Sequence, residues 1–286
     1  MILSPQSQTL DTTSLENLIP QVFENGITFD LGDLTFVTPW GVVGLCAVLT
    51  EMKGRGLAFE VVEPRNSDVL CYLKRVRFDE FAKELGILDS HFKLVAGVSL
   101  QEHPAMDRLI ELTRLNTRPD FQAREGQLAD ILQRIGMGED QAYLAVAVIA
   151  EVVDNIFVHN FGRWPFVHIP GGLVMAQKFG KVNTIKIAVG DLGVGIRKTL
   201  TDIEKYKSIT SDEEAIRKAL EPDVTSRPQQ RGGNGLPFIL KEIQGDFRGQ
   251  LDIRSGDCHI QSSGGIKCRF KGKQLIGTMI GLTINY

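Results

Sequence analysis

Three polar residues at four-residue intervals close an otherwise apolar helical pattern, in the stretch AEVVDNIFVHN at positions 150–160. They are Glu151, Asn155 and His159, and residues four apart lie on one face of a helix. A carboxylate there can orient or deprotonate a water molecule, and a side-chain amide oxygen suits Mg²⁺, a hard cation that prefers oxygen ligands. The alternative is an amphipathic helix whose solvent-facing side carries these residues, because short motifs have many chance matches.

A second candidate follows the apolar segment IKIAVG at 185–190, which is predicted to be a strand. Asp191 comes directly after it, and Gly193 and Gly195 permit close backbone approach. A carboxylate in this position can accept a hydrogen bond from an exocyclic amine, the group that distinguishes adenine from guanine. The other interpretation is a plain turn, because Asp and Gly are common turn residues.

A third candidate is the glycine-rich loop in RGGNGLPFILK, residues 231–241, which is predicted to become a helix near Pro237. Backbone N–H groups exposed where such a loop enters a helix bind phosphate, and the helix dipole adds to the attraction. The alternative is a surface loop with a good helix cap. Further on, Gly277 and Thr278 open the last predicted strand, where the threonine hydroxyl could lie beside a base.

The order of these elements resembles the N, G1 and G2 boxes of the GHKL ATPase superfamily, which includes histidine kinases, anti-sigma-factor serine kinases and DNA gyrase B subunits. The resemblance is carried by E-x-x-x-N on a helix, D-x-G-x-G after a strand, G-x-G-L before a helix and a late Gly-Thr, over about residues 122–286. The loop reads GGNGLP and departs from the fuller GxGLGL of histidine kinases. Membership of this superfamily implies ATP and Mg²⁺ as cofactors.

The resemblance also implies a role for each matching residue. Glu151 would be the catalytic residue, as the base or water-orienting group of an ATPase or as an assistant to phosphoryl transfer in a kinase. Asn155 would hold Mg²⁺ and is the predicted metal ligand, while Asp191 would recognise the adenine amine with support from Thr278. The remaining predicted cofactor-binding residues shape the adenine pocket or contact phosphates: Gly193, Gly195, Arg231, Gly233, Asn234, Gly235 and Leu236.

Residues 197–231 would then form a lid over the nucleotide, with Arg227 as a further phosphate contact. Three functions stay open: an ATP-dependent conformational switch with slow ATPase activity that regulates a partner protein, a serine/threonine protein kinase of the anti-sigma-factor type, and a nucleotide-binding interaction module without turnover. The presence of Glu151 argues against the third. A histidine kinase in the strict sense is disfavoured, because no histidine lies in a recognisable four-helix phosphoacceptor segment, and His159 is interpreted as a packing or capping residue.

The first of two predicted units is an α/β domain over residues 1–100, in which strand, helix and strand follow one another and favour a parallel crossover. Its predicted elements are strands at 27–37 and 57–63 and helices at 40–53 and 67–85. The unit resembles a STAS domain, the fold of anti-sigma-factor antagonists, through FDLGDLTFVTPWGVVGLCAVL and KGRGLAFEVVEP. Pro39 stands at the position of the acceptor serine and Thr38 is a poor substitute, so the resemblance implies that the unit binds a partner protein or the chain's own ATPase domain.

The second predicted unit, residues 122–286, follows an irregular junction at 101–121. Long helices open it and strands predominate after them, which predicts an α+β domain with a mostly antiparallel sheet. The resemblance implies a Bergerat-type sandwich. Its predicted elements are helices from about 122 to 136, at 140–158 and at 237–244, and strands at 165–176, 183–190, 250–254, 266–270 and 277–285.

Composition limits the remaining function classes. The 286 residues are 43% hydrophobic and 23% charged, as in an ordinary globular protein, and the net charge of −3 provides no general basic field for nucleic acid. Four cysteines without a CxxC pair signal neither a zinc site nor a disulfide framework.

The sequence also shows no secretion signal and no uncharged apolar stretch of about 20 residues, so we expect a cytoplasmic protein without membrane insertion. A homodimer is compatible with the GHKL resemblance, because members of that superfamily often dimerise.

Overall fold

The computed structural model describes residues 1–99, 109–160, 163–166, 171–179, 183–226 and 233–286, without the side chains of Leu109 and Arg124. In these residues the chain is a mixed α/β protein with one five-stranded antiparallel sheet and two smaller parallel sheets. The general fold class predicted from the sequence is therefore confirmed.

The first part of the chain forms both parallel sheets. Its strands are β1 (Ile2–Leu3), β2 (Thr9–Leu10), β3 (Ile27–Asp30), β4 (Phe36–Val37) and β5 (Phe59–Val62), and its helices are α1 (Leu15–Leu18), α2 (Pro39–Gly54), α3 (Ser67–Arg75), α4 (Phe78–Glu84), α5 (Leu88–His91) and α6 (Lys93–Gly97). One sheet has the order β1-β3-β5, and β2 pairs with β4 in the other. Both pairings of β3 are parallel, so the predicted crossover through α2 is confirmed.

The helix predicted at 67–85 is two helices. Helix α3 ends at Arg75 and α4 begins at Phe78, and between them Arg77 has a φ of 64°. This left-handed conformation interrupts a right-handed helix, so the chain turns at that residue. The apolar residues of both helices face the same core, which is why the hydrophobic pattern continues through the break.

The second part of the chain forms the five-stranded sheet and the longer helices. Its elements are β6 (Leu109–Leu115), α7 (Arg118–Arg134), α8 (Glu139–Asn160), β7 (Gly172–Phe179), β8 (Thr184–Asp191), α9 (Gly195–Thr201), a 3₁₀ turn (Glu204–Tyr206), α10 (Asp212–Ala219), α11 (Gly235–Gln244), β9 (Gln250–Gln261) and β10 (Lys267–Asn285). The strand order is β6-β7-β8-β10-β9, and each pairing is antiparallel, as predicted.

Three sequence predictions about this sheet need correction. The junction at 101–121 was predicted to be irregular, yet it contains β6, which pairs with β7 at the sheet edge. The strand predicted at 165–176 begins at Gly172, and residues 167–170 lie outside the described part of the chain. The two terminal strands predicted at 266–270 and 277–285 are one strand, β10, with register irregularities that the apolar pattern did not reveal.

The five-stranded sheet is covered on both faces. Val174 and Val189 belong to the core that contains the apolar residues of α8 and α11. Their chain neighbours Met175 and Ala188 belong to the core that contains α2. Because successive side chains of a strand point to opposite faces, α8 and α2 lie on opposite sides of the sheet.

Helix α2 joins the two parts of the chain. Its residues from Pro39 to Met52 are all buried. Trp40 stacks on His259 with ring centroids 5.3 Å apart, and a Cβ atom at Gly281 would lie 2.6 Å from the Trp40 ring. The central helix of the first part therefore packs directly on β9 and β10.

A buried ion pair adds to this contact. Arg254 Nε donates to Glu16 Oε1 over 2.9 Å, and their side chains are only 2% and 7% exposed. Lys273 Nζ also donates to the Glu16 backbone carbonyl over 2.8 Å. Helix α1 is therefore held on the same two strands, β9 and β10, on which α2 packs.

Helix α8 is the element that carries Glu151, Asn155 and His159. Its length and composition would also suit a membrane-spanning helix, a test that the core helix of a soluble protein passes as well. Here it packs on α7, α11 and the sheet. Arg118 on α7 donates to both carboxylate oxygens of Asp154 over 2.6 and 2.5 Å, which fixes α7 beside the polar face of α8.

Candidate functional site

A cavity of about 290 Å³ lies between α8, the end of β8 and the start of α11. Its volume is at the lower end of the range for small-molecule sites, about 300–1,000 Å³. Eight of the predicted site residues line it: Glu151, Asn155, Asp191, Gly195, Gly233, Gly235, Leu236 and Thr278. These residues come from four separate segments of the sequence, and the fold brings them together.

Two described members of the predicted set lie beside the cavity without lining it. A Cβ atom at Gly193 would lie 1.8 Å from Asn160 Oδ1, so glycine is needed for the close approach of these two segments. Asn234 Oδ1 accepts a hydrogen bond from the backbone N–H of Asp223 over 3.4 Å and links the glycine loop to the end of the segment after α10. Outside the described residues lie Arg227 and Arg231.

Asp191 ends β8 and is the buried carboxylate of the cavity, with 7% exposure. Its Oδ1 accepts hydrogen bonds from Gly193 N over 2.6 Å and from Asn160 Nδ2 over 3.2 Å. Burial raises the pKa of Asp191 to about 7, although hydrogen bonds from the backbone of Gly193 and Thr278 oppose the rise. This carboxylate can therefore gain or lose a proton near neutral pH.

Asn160, which the sequence did not single out, connects α8 to the loop after β8. Its Nδ2 donates to Asp191, and its Oδ1 accepts a hydrogen bond from Val194 N over 3.0 Å. The residue is 5% exposed and lines the cavity. In the sequence, the one sign of a role for Asn160 is that it is a second polar residue directly after His159. Asn is also common at helix ends, so this position alone does not indicate a site.

Glu151 and Gly235 face each other at the opposite end of the cavity. A Cβ atom at Gly235 would lie 2.2 Å from Glu151 Oε1, so α11 can begin this close to the carboxylate only because residue 235 has no side chain. Burial raises the pKa of Glu151, the charge of Asp154 raises it further, and Arg118 opposes both effects. A carboxylate with a raised pKa is suited to accept a proton from water near neutral pH.

Asn155 and His159 continue the same face of α8. The Nδ2 atom of Asn155 is buried and has no hydrogen-bond partner among the described residues. Since the two ends of an amide are exchanged by rotation, this side chain can offer either an oxygen or a donor to a ligand. His159, interpreted from the sequence as a packing or capping residue, lines the cavity, and its Nδ1 lies 2.8 Å from Ser226 Oγ in the predicted lid.

Thr278 lies opposite Asp191 in the register of β8 and β10. Its Oγ1 is 3.3 Å from Ser255 Oγ, which in turn accepts a hydrogen bond from Ile196 N in the first turn of α9 over 2.9 Å. Gly195 has a φ of 78°, a conformation that favours glycine, and it allows α9 to begin at this point. The local sequence around Ser255 does not indicate a functional residue. The pairing of β9 with β10 brings Ser255 to the site.

The other side of β8 is packed against α2. A Cβ atom at Gly190 would lie 2.7 Å from Val43 Cγ1, so α2 lies directly behind the residue that precedes Asp191. At the start of α2, Thr38 Oγ1 donates to a backbone carbonyl over 3.1 Å and accepts from Gly41 N over 3.2 Å. This hydroxyl is buried and caps the helix, and so it is not presented to a phosphate donor.

Comparisons with known protein families and with curated proteins find no match to this chain. The chemistry of the cavity is therefore derived from its own residues. They provide a buried carboxylate, a second carboxylate with a raised pKa, a buried amide nitrogen with no partner among the described residues, and a glycine loop at a helix start.

Proposed function

We propose that the chain binds ATP with Mg²⁺ in this cavity and acts as a conformational switch with slow ATPase activity that regulates a partner protein. In this proposal the second part is a GHKL-type domain and the first part is a STAS-like unit. The carrying observation is that Asn155, Asp191 and Gly235, from three separate motifs, line one cavity. None of these motifs is specific alone, but their order along the chain and their convergence in space are separate observations.

Asp191 would select the base. Its buried carboxylate accepts two hydrogen bonds on Oδ1, and as an acceptor it favours the exocyclic amine of adenine over the carbonyl of guanine. Thr278 lies opposite on β10, where its hydroxyl can support the same contact. The cavity has a fixed polar wall at this end because Asn160 also holds the carboxylate.

Asn155 would hold Mg²⁺ through its amide oxygen, which a side-chain rotation of about 180° would place where Nδ2 now lies buried without a partner among the described residues. The ion would supply neutralisation of phosphate charge when bound. Gly235 and Leu236 open α11, a ten-residue helix whose first N–H groups favour an anion. Gly233, with a φ of 100°, shapes the loop that leads to this helix.

Glu151 would orient a water molecule and accept its proton. The half-buried carboxylate has a raised pKa and lies beside the first residue of α11, so it is near the proposed phosphate position. A purely passive nucleotide module has no use for a base at this point. Phosphoryl transfer to a serine on a separate STAS protein would use the same residue and is the alternative outcome of the test below.

The contacts of β9 support a switch that the first part of the chain senses. Ser255 accepts a hydrogen bond from Ile196 at the base of the predicted lid, and its neighbour Arg254 pairs with Glu16 in α1. Because neighbouring residues of a strand point to opposite faces, one strand contacts the lid and the first unit at once. A change in the lid on nucleotide binding would therefore reach α1 through a single strand.

The test is incubation of the full chain with γ-labelled ATP and Mg²⁺, with and without a STAS-domain protein. Free labelled phosphate from the chain alone is expected from the switch, and labelled STAS protein would favour the kinase. Equilibrium binding of ATP to Asp191→Asn and Asn155→Ala proteins tests the site itself. If both bind ATP as tightly as the parent and as the exposed-residue control Asp130→Asn, the nucleotide-site assignment is wrong.

A further inference from the structure

A separate cluster of metal-ligand side chains lies where the β9–β10 hairpin meets α10. Cys258 Sγ on β9 and Cys268 Sγ on β10 are 3.6 Å apart. A carboxylate oxygen of Glu213, in the first turn of α10, lies within 4.8 Å of both sulfur atoms. Strand pairing brings the thiols together although they are ten residues apart in the sequence.

We propose that Cys258, Cys268 and Glu213 form a binding site for a thiophilic dication of the Zn²⁺ type. Tetrahedral Zn²⁺ with Zn–S bonds of about 2.3 Å separates two sulfur ligands by about 3.8 Å. The observed 3.6 Å is close to that value, so both thiols can bind one ion with little movement. The carboxylate is the third ligand, and water completes the four-coordinate shell.

The charges around the cluster suit a bound dication. When Zn²⁺ binds, both thiols release their protons to solvent. The two thiolates and the carboxylate then carry three negative charges, and the dication reduces this to one net negative charge. Lys271 Nζ lies 3.5 Å from Glu213 Oε2, and Arg217 Nη2 lies 3.0 Å from Glu213 Oε1, so the two cations together more than offset the one remaining negative charge. Asp257, which precedes Cys258 in the sequence, has a buried carboxylate oxygen with no hydrogen-bond partner among the described residues.

The site would fasten α10 to the sheet. Asp212 already joins the start of α10 to β9, because its Oδ2 accepts a hydrogen bond from Asp257 N over 2.9 Å. A metal bond through the next residue, Glu213, would add a second attachment. If residues 197–231 close over ATP, this attachment holds the middle of the lid on β9 and β10. Only this role rests on the proposed function, because the metal site itself needs no nucleotide.

The test is anaerobic titration of the reduced, chelator-treated full chain with Co²⁺ alone. One equivalent of Co²⁺ should produce thiolate-to-cobalt charge-transfer absorption, and Zn²⁺ should displace it. Cys268→Ser should abolish this absorption, and Glu213→Gln should weaken Co²⁺ binding by at least about tenfold. The half-buried Cys71, outside the cluster, provides the matched control, and Cys71→Ser should bind like the parent.

The proposal is overturned if the parent gives no charge-transfer absorption, or if Cys268→Ser binds Co²⁺ as tightly as the parent. It is also overturned if the reduced pair forms a Cys258–Cys268 disulfide on exposure to oxygen even when Zn²⁺ is present in excess. The substituted residues are the half-buried Cys268 and the partly exposed Glu213. If one of these two variants does not fold, the other still tests the proposal. Asp191→Asn should bind Co²⁺ normally, which separates this result from any failure of the ATP site.

Discussion

Asn160 and Asp191 are joined by a buried hydrogen bond in which Asn160 Nδ2 donates to Asp191 Oδ1 over 3.2 Å. The oxygen of the same amide accepts from Val194 N, so the last residue of α8 fixes both the carboxylate and the loop that follows it. A group held in place before its ligand arrives loses less conformational entropy on binding. The helix that carries Glu151 therefore also orients the residue proposed to recognise the base.

Replacement of Asn160 by alanine should reduce base selectivity. The change removes a hydrogen bond from Asp191 and leaves Val194 N without its partner, which costs about 1–3 kcal/mol per unsatisfied buried group. We expect ATP affinity to fall by about tenfold or more and the ratio of ATP to GTP affinity to fall with it. Calorimetric titration with both nucleotides measures this. A variant with lower thermal stability but an unchanged ATP-to-GTP ratio would show that Asn160 has only a structural role.

The protonation of Asp191 should make nucleotide affinity depend on pH. If adenine binds the ionised carboxylate, and the pKa of Asp191 is about 7, ATP affinity should fall by about tenfold between pH 8 and pH 6. Asp191→Asn should bind ATP more weakly and lose most of this slope. ATP itself ionises in this range, and the variant corrects for that contribution. Equal slopes in the parent and the variant would exclude Asp191 as the titrating group.

The same pKa predicts a stability change in the absence of nucleotide. The ordinary pKa of 3.8 applies to the unfolded chain, whereas folded Asp191 keeps its proton up to about pH 7. The folded state therefore holds more protons between these values, and this group lowers the free energy of unfolding as pH rises from about 4 to about 7. At pH 8, Asp191→Asn should be more stable than the parent, by on the order of a few kcal/mol. Urea denaturation at pH 5 and pH 8 measures the difference, which should be smaller at pH 5 than at pH 8.

Substitution of Glu151 by glutamine should separate binding from turnover. The amide keeps the size of the side chain but cannot accept a proton, so kcat for ATP hydrolysis should fall by about 10²- to 10⁴-fold while ATP affinity changes little. Asp154→Asn provides a second measurement, because loss of the Asp154 charge lowers the pKa of Glu151. In a plot of kcat against pH, the fall in activity on the acidic side should then occur at lower pH. Parental turnover in Glu151→Gln would contradict the assignment.

A single methyl group at position 235 should disturb the site. Its Cβ atom would lie 2.2 Å from Glu151 Oε1, so Gly235→Ala must displace either the carboxylate or the start of α11. We expect a loss of about 1–3 kcal/mol in stability together with slower hydrolysis. Gly126→Ala, on the exposed side of α7 with no atom near its Cβ, should instead be neutral or slightly stabilising. Equal behaviour of the two variants would contradict the close contact.

The Glu16–Arg254 pair should be costly to break. Removal of one partner leaves a buried charge without compensation, so Glu16→Ala should lower the free energy of unfolding by about 3–5 kcal/mol. Glu80→Ala, which breaks an exposed pair with Arg77, is the matched control and should have little effect. Chemical denaturation measures both. A small loss in Glu16→Ala would mean that water reaches Arg254.

Local sequence predicted the elements whose patterns are regular. Helices α2 and α8 and strand β8 carry continuous apolar patterns with clear ends, and their predicted positions differ from the observed ones by at most two residues. The residues of the three motifs could also be selected in advance, because Glu, Asn, Asp and Gly have distinct chemistry at those spacings. Asn155 and Gly235 are examples that line the cavity.

Features that depend on long-range pairing could not be predicted in this way. Strand β6 is a short segment, LIELTRL, between two polar stretches, and its place in the sheet is set by its pairing with β7. Ser255 reaches the site through the register of β9 and β10, and Cys258 and Cys268 meet through the same hairpin without a CxxC spacing. Arg77 interrupts a helix through its backbone conformation, which the surrounding apolar pattern does not encode.

The burial of α2 has a consequence for any attempt to divide this protein. A cut in the chain between α2 and β6 would assign the helix to one fragment and its main partner, the rear face of the five-stranded sheet, to the other. Each fragment would then expose an apolar surface that water disfavours, the helix around Val43 in one and the strands around Ala188 in the other. The two fragments should therefore be insoluble when produced apart and should recover a soluble form when co-expressed.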